Sequence, residues 1–171
     1  MDTAIEIVSE MIIQRGYEIT EDDDDKIIGT NDEDEQIVVF TQPVIKFNID
    51  RVKEYISLLH KMGMNHCIVI YTESVTPMTK KLVANSVDIK IELFTQEELQ
   101  YNITKHRLVP LHVRLSTEDG KEFKKKYGLK FQAILRTDPI SRFYGYQRGD
   151  VIKIVRTNGE NKFVSYRIVK G

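Results

Sequence analysis

Cysteine is nearly absent from this 171-residue sequence, and the one present, Cys67, excludes an internal disulfide. It sits in "HCIVIY", where a small buried hydrophobe is expected. Long apolar runs are missing too. No stretch approaches the ~20 residues needed to cross a bilayer, and the amino terminus "MDTAIEIVSEM" is acidic where a signal peptide would be basic. The expectation is an intracellular, soluble protein of a reducing compartment, with no membrane partner. Neither GxxxxGK[ST] nor GxGxxG occurs, so no glycine-rich phosphate cradle is expected. His60, His66, His106 and His112 are too scattered to form an i, i+4 pair and have no cysteine pair beside them, so no metal site and no cofactor are expected. A net charge of −1 argues against a free-standing protein that holds nucleic acid by bulk positive charge.

What the chain does contain is divided. With 41% hydrophobic residues it can bury one ordinary core or two small ones. Residues 1–100 hold 9 Lys+Arg against 20 Asp+Glu, whereas residues 101–171 hold 16 against 6, for net charges of −11 and +10. Two parts in different surroundings follow from an asymmetry of this size.

The acidic part begins with a predicted helix, capped by Thr3 with Glu6, with Ile5, Val8 and Ile12 on one face and Gly16 as its stop. The run "TEDDDDK" places five carboxylates in succession, which repel one another and bury nothing, so residues 20–36 read as a solvated loop. A calcium site at Asp22–Asp25 lacks the alternate spacing and turn glycine it would need. Next come a short β-like run "IVVF", a helix "NIDRVKEYISLLHKMG" with Ile49, Val52, Ile56, Leu59 and Met62 at helical spacing, and a strand "CIVIY". Thr76 caps a helix opened by Pro77, "VDIKIELF" alternates Val87, Ile89, Ile91 and Leu93 as a strand, and Thr95 with Glu98 makes the capping box of another helix. This order predicts a small α/β layer with a largely parallel sheet, within an α+β protein overall.

The basic part follows the interruption at Pro110. A helix "EDGKEFKKKYG", a short helix opened by Asp138 and Pro139 and closed by Gly145, and two strands about Asn158-Gly159 predict a compact two-layer α+β unit ending in a β-hairpin.

Three places could carry chemistry. "DIK" at Asp88–Lys90 is the acidic-x-lysine half of a Mg²⁺ nuclease site, though strand alternation also explains it. In "TPMTKK", Thr76, Pro77, Lys80 and Lys81 stand at a helix start where backbone amides and lysines suit a phosphate, though an ordinary capped helix reads the same way. Finally Arg142, Arg148, Lys153, Arg156 and Arg167 are interleaved with Phe143, Tyr144, Tyr146 and Tyr166, the mixture found at protein interfaces and nucleic-acid platforms. The triple lysine at 124–126 reads as a solvated face.

"HRLVPLHVRL", "TDPISRFYGYQRGDVIKIVR" and "FVSYRIV", in that order, resemble the assembly domain of the fifth subunit shared by eukaryotic nuclear RNA polymerases, which has an equivalent in the archaeal polymerase. "KEYISLLHKMGMNHCIVIYTESVTPMTKKLV" and "IELFTQEELQYNITKH" resemble the eukaryotic protein's amino-terminal jaw, which the archaeal equivalent lacks. The resemblance implies a jaw at 1–105, whose fold is a nuclease-like layer, and an assembly domain at 106–171. It implies a non-catalytic component of DNA-directed RNA polymerase that docks on the largest subunit, contacts other polymerase subunits and lies beside downstream duplex DNA. His106, Pro110, His112, Asp138, Pro139, Arg142, Arg148, Gly149, Lys153, Arg156, Tyr166 and Arg167 are then the expected partner interface, and Thr76, Pro77, Lys80 and Lys81 the DNA neighbours. The jaw's leading helical region is shorter than in cellular relatives, and the acidic tract has no counterpart, which leaves a polymerase of a large DNA virus open beside a nuclear one. The location implied is the nucleus, or the host cytoplasm or virion. The alternatives are a Mg²⁺-dependent nuclease on the first sheet and an independent nucleic-acid-binding module.

Overall fold

The structure is a computed structural model that describes residues 2–86 and 88–171. The chain separates into two compact units, Met1–Tyr101 and Asn102–Gly171.

In the first unit, α1 (Asp2–Gln14) buries Ala4, Val8, Met11 and Ile12. Thr3 lies inside the helix and is not its cap; Gly16 adopts φ 91°, which ends it at little steric cost. The segment expected as a solvated loop is instead two antiparallel strands, β1 (Tyr17–Asp22) and β2 (Lys26–Asn31). The physical reason is that the carboxylates are confined to the exposed outer strand and two turns, while Ile27, Ile28 and Gly29 between them are buried. Asn31 Oδ1 closes the second turn by accepting from the amides of Glu33 (3.0 Å) and Glu35 (2.8 Å). Gly29 suits a close approach, since a Cβ there would stand 3.0 Å from Tyr17 Cβ, tighter than ordinary packing, and Tyr17 would have to give way.

β3 (Gln36–Phe47) runs well beyond "IVVF". Its pairing with β2 stops at Phe40, so Pro43 falls where that edge is open and the register with the next strand is irregular. α2 (Ile49–Met62) starts at the Asn48 cap and ends at Gly63 in the left-handed region. β4 (His66–Val75), α3 (Pro77–Ala84) and β5 (Lys90–Thr95) complete the layer. Val87 lies outside the described residues. Thr95 and Glu98 do form a capping box, but only a single turn follows it and no helix.

The sheet order is β1-β2-β3-β4-β5, antiparallel from β1 to β3 and parallel from β3 to β5. Ile28, Val38, Cys67 and Ile91 are register neighbours on one face and pack with Val52, Tyr55 and Leu59 of α2. Ile27, Val39, Ile68 and Glu92 are neighbours on the other face. Cys67 is fully buried, and burial pushes its thiol pKa up, which keeps it a neutral hydrophobe.

The second unit holds a four-stranded sheet of order β6-β8-β9-β7, built from β6 (Leu111–Arg114), β7 (Ala133–Leu135), β8 (Val151–Asn158) and β9 (Asn161–Lys170). The two short edge strands do not stand out in the sequence, because four and three residues carry too little alternation to register as a pattern. α4 (Thr117–Tyr127) presses Phe123 onto Val151 and Ile168. By alternation along the strands, Ile134, Ile152, Ile154 and Val169 point to the opposite face, where Tyr146 and Tyr144 at the end of α5 (Pro139–Tyr144) cover them. In the final hairpin Asn158 pairs with Asn161, so the loop is Gly159-Glu160, with positive φ only at Gly159.

Candidate partner and nucleic-acid surfaces

Thr76 caps α3 by accepting from the amide of Thr79 (3.2 Å), and their hydroxyls share a hydrogen bond of 2.8 Å. Thr79 is fully buried and fixes the turn, while Thr76, Pro77, Lys80 and Lys81 are exposed. Pro77 has no amide proton, Thr79 serves the cap, and the Lys80 amide closes on the Thr76 carbonyl at 3.0 Å. Backbone capture of an anion is therefore reduced to the Met78 amide, and any phosphate contact rests on the two lysines.

Glu92 dominates the chemistry of the first sheet. Its carboxylate accepts two 2.9 Å bonds from the Arg15 guanidinium, one of 2.7 Å from His66 Nε2 and a 3.1 Å ion pair from Lys90. Burial opposes ionisation of Glu92, but Arg15, His66 and Lys90 outweigh it and hold the carboxyl well below the usual range. His66 is pushed below its usual value by burial, with Glu92 opposing; a neutral ring must then donate Nε2–H to the acceptor-only carboxylate. Lys90 of "DIK" is thus engaged with Glu92, and Asp88 is exposed in the preceding bend. Among the described residues no group of three His, Cys, Asp or Glu converges as metal ligands.

In the second unit the register sorts the expected interface residues between two faces. His112 stands opposite Ile154, which stands opposite Ser165; Arg156 faces Phe163, and Arg167 faces Ile152, so these side chains share the face covered by α5. Lys153 pairs with Tyr166 on the face covered by α4, where Tyr166 meets Phe123 at a ring separation of 4.8 Å. His112 donates Nδ1–H to the Pro110 carbonyl at 2.8 Å. Burial pushes its pKa below the usual value, helped by Arg156 and Arg167 and opposed by Pro110 and Asp138. His112, Asp138, Arg156 and Arg167 therefore share one electrostatic neighbourhood. Asp138 is the α5 cap, accepting from the Ile140 amide at 2.9 Å, with exposed Pro139 next and half-buried Arg142 on the same helix. Arg167 donates Nη1–H to the Ala133 carbonyl at 3.3 Å.

Arg148 and Gly149 do not join that neighbourhood. They lie in the turn before β8, whereas Arg156 lies near its far end, roughly 25 Å away at strand rise. Gly149 has φ 92°, and its carbonyl accepts from Lys124 Nζ at 3.1 Å, so one of the three consecutive lysines is tied to the fold. His106 is exposed in the lead-in loop and accepts from the Leu108 amide at 3.3 Å. The charged-residue reading missed the apolar row Leu111, Val155 and Val164, adjacent across three strands, with Leu111 59% and Val164 48% exposed. Alternation in "LHVR" and "KFVSYRIV" is the signal that finds it.

Comparison with known proteins completes the picture. Residues 101–169 match the family described as RNA polymerase Rpb5, C-terminal domain. The chain is 32% identical over 148 residues to the Dictyostelium discoideum protein named DNA-directed RNA polymerases I, II, and III subunit rpabc1, covering 82% of this chain and 75% of that one. It is 33% identical over 186 aligned positions to a protein of Invertebrate iridescent virus 6 assigned as DNA-directed RNA polymerase subunit 454R, covering 96% of this chain and 97% of that one. Identity to the RPABC1 subunit of Caenorhabditis elegans is 30% over 149 residues, covering 84% and 71%. Two units of opposite charge, a capped sheet-and-helix layer and a cationic α+β unit, together with these matches, place the chain in the RNA polymerase subunit family of Rpb5 and RPABC1.

Proposed function

We propose that the protein is a non-catalytic subunit of a multisubunit DNA-dependent RNA polymerase. Residues 102–171 dock on the largest subunit and contact other polymerase subunits, while the first unit projects beside downstream DNA. The observation that carries this reading is the second unit's surface: a net +10 from residue 101 onward, arginines on one face of the sheet and lysines on the other, and uncovered apolar side chains beside them. A lone domain gains nothing by leaving Leu111, Phe163 and Val164 in water; a partner that covers them does. Tagged chain expressed in its native cell or infection is expected to recover the largest polymerase subunit, and recovery of the chain alone would refute the docking. The location is then that of the polymerase: the nucleus for a cellular enzyme, the host cytoplasm or virion for a viral one.

Contact with DNA is assigned to Lys80 and Lys81, with Thr76 and Pro77 at the same helix start. Lys80→Glu with Lys81→Glu in the assembled polymerase is expected to reduce crosslinking to downstream duplex and to lower the salt dependence of DNA binding by about 2 in log–log slope. Equal crosslinking in parent and variant would remove α3 from the DNA path.

A further inference from the structure

Among the described residues, the second unit's sheet has an edge that its own strands leave open. β7 pairs with β9 only from Ile168 to Lys170, whereas β8 follows β9 down to Asn161. Residues 161–167 of β9 therefore have a strand on one side and none on the other. Backbone bonds fix which groups point outward. The Val169 amide donates to Asp150, on the β8 side, while the Ile168 amide donates to Gln132 and the Lys170 carbonyl accepts from Arg136, both on the β7 side. An antiparallel ladder alternates, so Lys162, Val164 and Tyr166 direct their N–H and C=O groups along the open edge.

The side chains there suit one kind of partner. Lys162, Val164 and Tyr166 share a face, on which Val164 continues the row with Val155 and Leu111. Lys162 lies on one side of that row, and Lys153, opposite Tyr166, on the other. β8 and β9 contain no carboxylate; their charges are Lys153, Arg156, Lys162, Arg167 and Lys170. An open edge with apolar side chains is ordinarily an association hazard, and a lysine on it discourages indiscriminate pairing. The same lysine favours a strand that brings a carboxylate opposite it.

We propose that the free edge of β9 accepts an extended segment of the largest polymerase subunit by strand addition. That segment sets an apolar residue against the Leu111–Val155–Val164 row and acidic neighbours against Lys162 and Lys153. The proposal rests on the docking described above and adds its element and its chemistry: main-chain bonds from Lys162, Val164 and Tyr166 give affinity, and the alternating side chains give selectivity.

The test is amide hydrogen exchange on the chain alone and on the chain co-expressed with the largest subunit, with capture of that subunit measured for two variants. The amides of Val164 and Tyr166 are expected to exchange rapidly in the free chain and to be protected in the complex, whereas that of Phe163, bonded to β8, is protected in both. Val164→Pro, which removes the outward donor, is expected to weaken capture about tenfold or more, whereas Val164→Thr, which keeps that donor and loses only part of the apolar contact with the row, is expected to weaken it less, by about two- to fivefold. If the largest subunit is captured while those amides exchange at the free rate, the docking stands and strand addition is overturned. If the parent captures no largest subunit, the docking itself fails. Protection of the same amides in the chain alone, rising with its concentration, would assign the edge to a second copy and overturn the proposal.

Discussion

Glu92 shows how a single residue can look like chemistry and serve architecture. Its side chain and that of Arg15 are 14% and 4% exposed, so each charge needs the other. Glu92→Gln is expected to destabilise the first unit by about 3–5 kcal/mol, read from the urea midpoint, because the buried Arg15 guanidinium would lose the carboxylate charge that accepts two of its hydrogen bonds. The pH dependence has a definite sign. Both Glu92 and His66 have folded pKa values below their ordinary ones, so the unfolded chain binds more protons in acid. Their contribution is full above pH ~6.5 and is lost as pH falls, first through His66 and then, below ~4.3, through Glu92. His66→Gln is expected to flatten the upper part of that decline between pH ~7 and ~5, measured beside the parent because His112 is shifted in the same direction. Thr76→Ala is expected to cost about 1 kcal/mol in thermal stability by loss of the cap, while leaving Lys80 and Lys81 in place. Neither the Arg15–Glu92 pair nor its meaning was legible in the sequence, since the two are 77 positions apart and only the sheet register joins them.

At the scale of elements, three helices were bounded by signals the sequence carries, the Thr95–Glu98 box opened only a turn, and the acidic strands stayed hidden. Asn48 and Gly63 bracket α2, Thr76 and Pro77 open α3, and Asp138, Pro139 and Gly145 bound α5, because caps are local chemistry that three or four residues specify. β1 and β2 were hidden because the charge of Glu21–Asp25 and Asp32–Glu35 dominates any window placed over them, although the pairing depends on Ile27, Ile28 and Gly29. Gly29→Val is expected to destabilise the first unit by about 1–3 kcal/mol through the clash with Tyr17. A change of that size would show that the acidic stretch is a working part of the sheet; an unchanged melt would return it to the status of a loop. The candidate interface was legible as composition but not as geometry. The cationic and aromatic residues were found, yet only the β6-β8-β9 register shows His112, Arg156 and Arg167 on one face and Lys153 and Tyr166 on the other.

Over the whole molecule, the division of charge is the feature that ties sequence to role. An acidic unit of net −11 through residue 100 repels phosphate in general, so the DNA contact proposed above rests on a local cationic point, Lys80 and Lys81 of α3. The cationic unit has the opposite problem, since alone it would attract polyanions indiscriminately. A large protein partner that covers its apolar row and neutralises its arginines resolves both. Membership of the Rpb5 and RPABC1 family, supported by cellular and viral relatives alike, fits a part whose surfaces are completed by an assembly. The most direct test is to purify the polymerase through its largest subunit from cells that make this chain, and to measure the amount of chain bound. A one-to-one amount, lost when the open edge of β9 is blocked by Val164→Pro, is the expected result. Active polymerase that carries none of the chain would contradict the account.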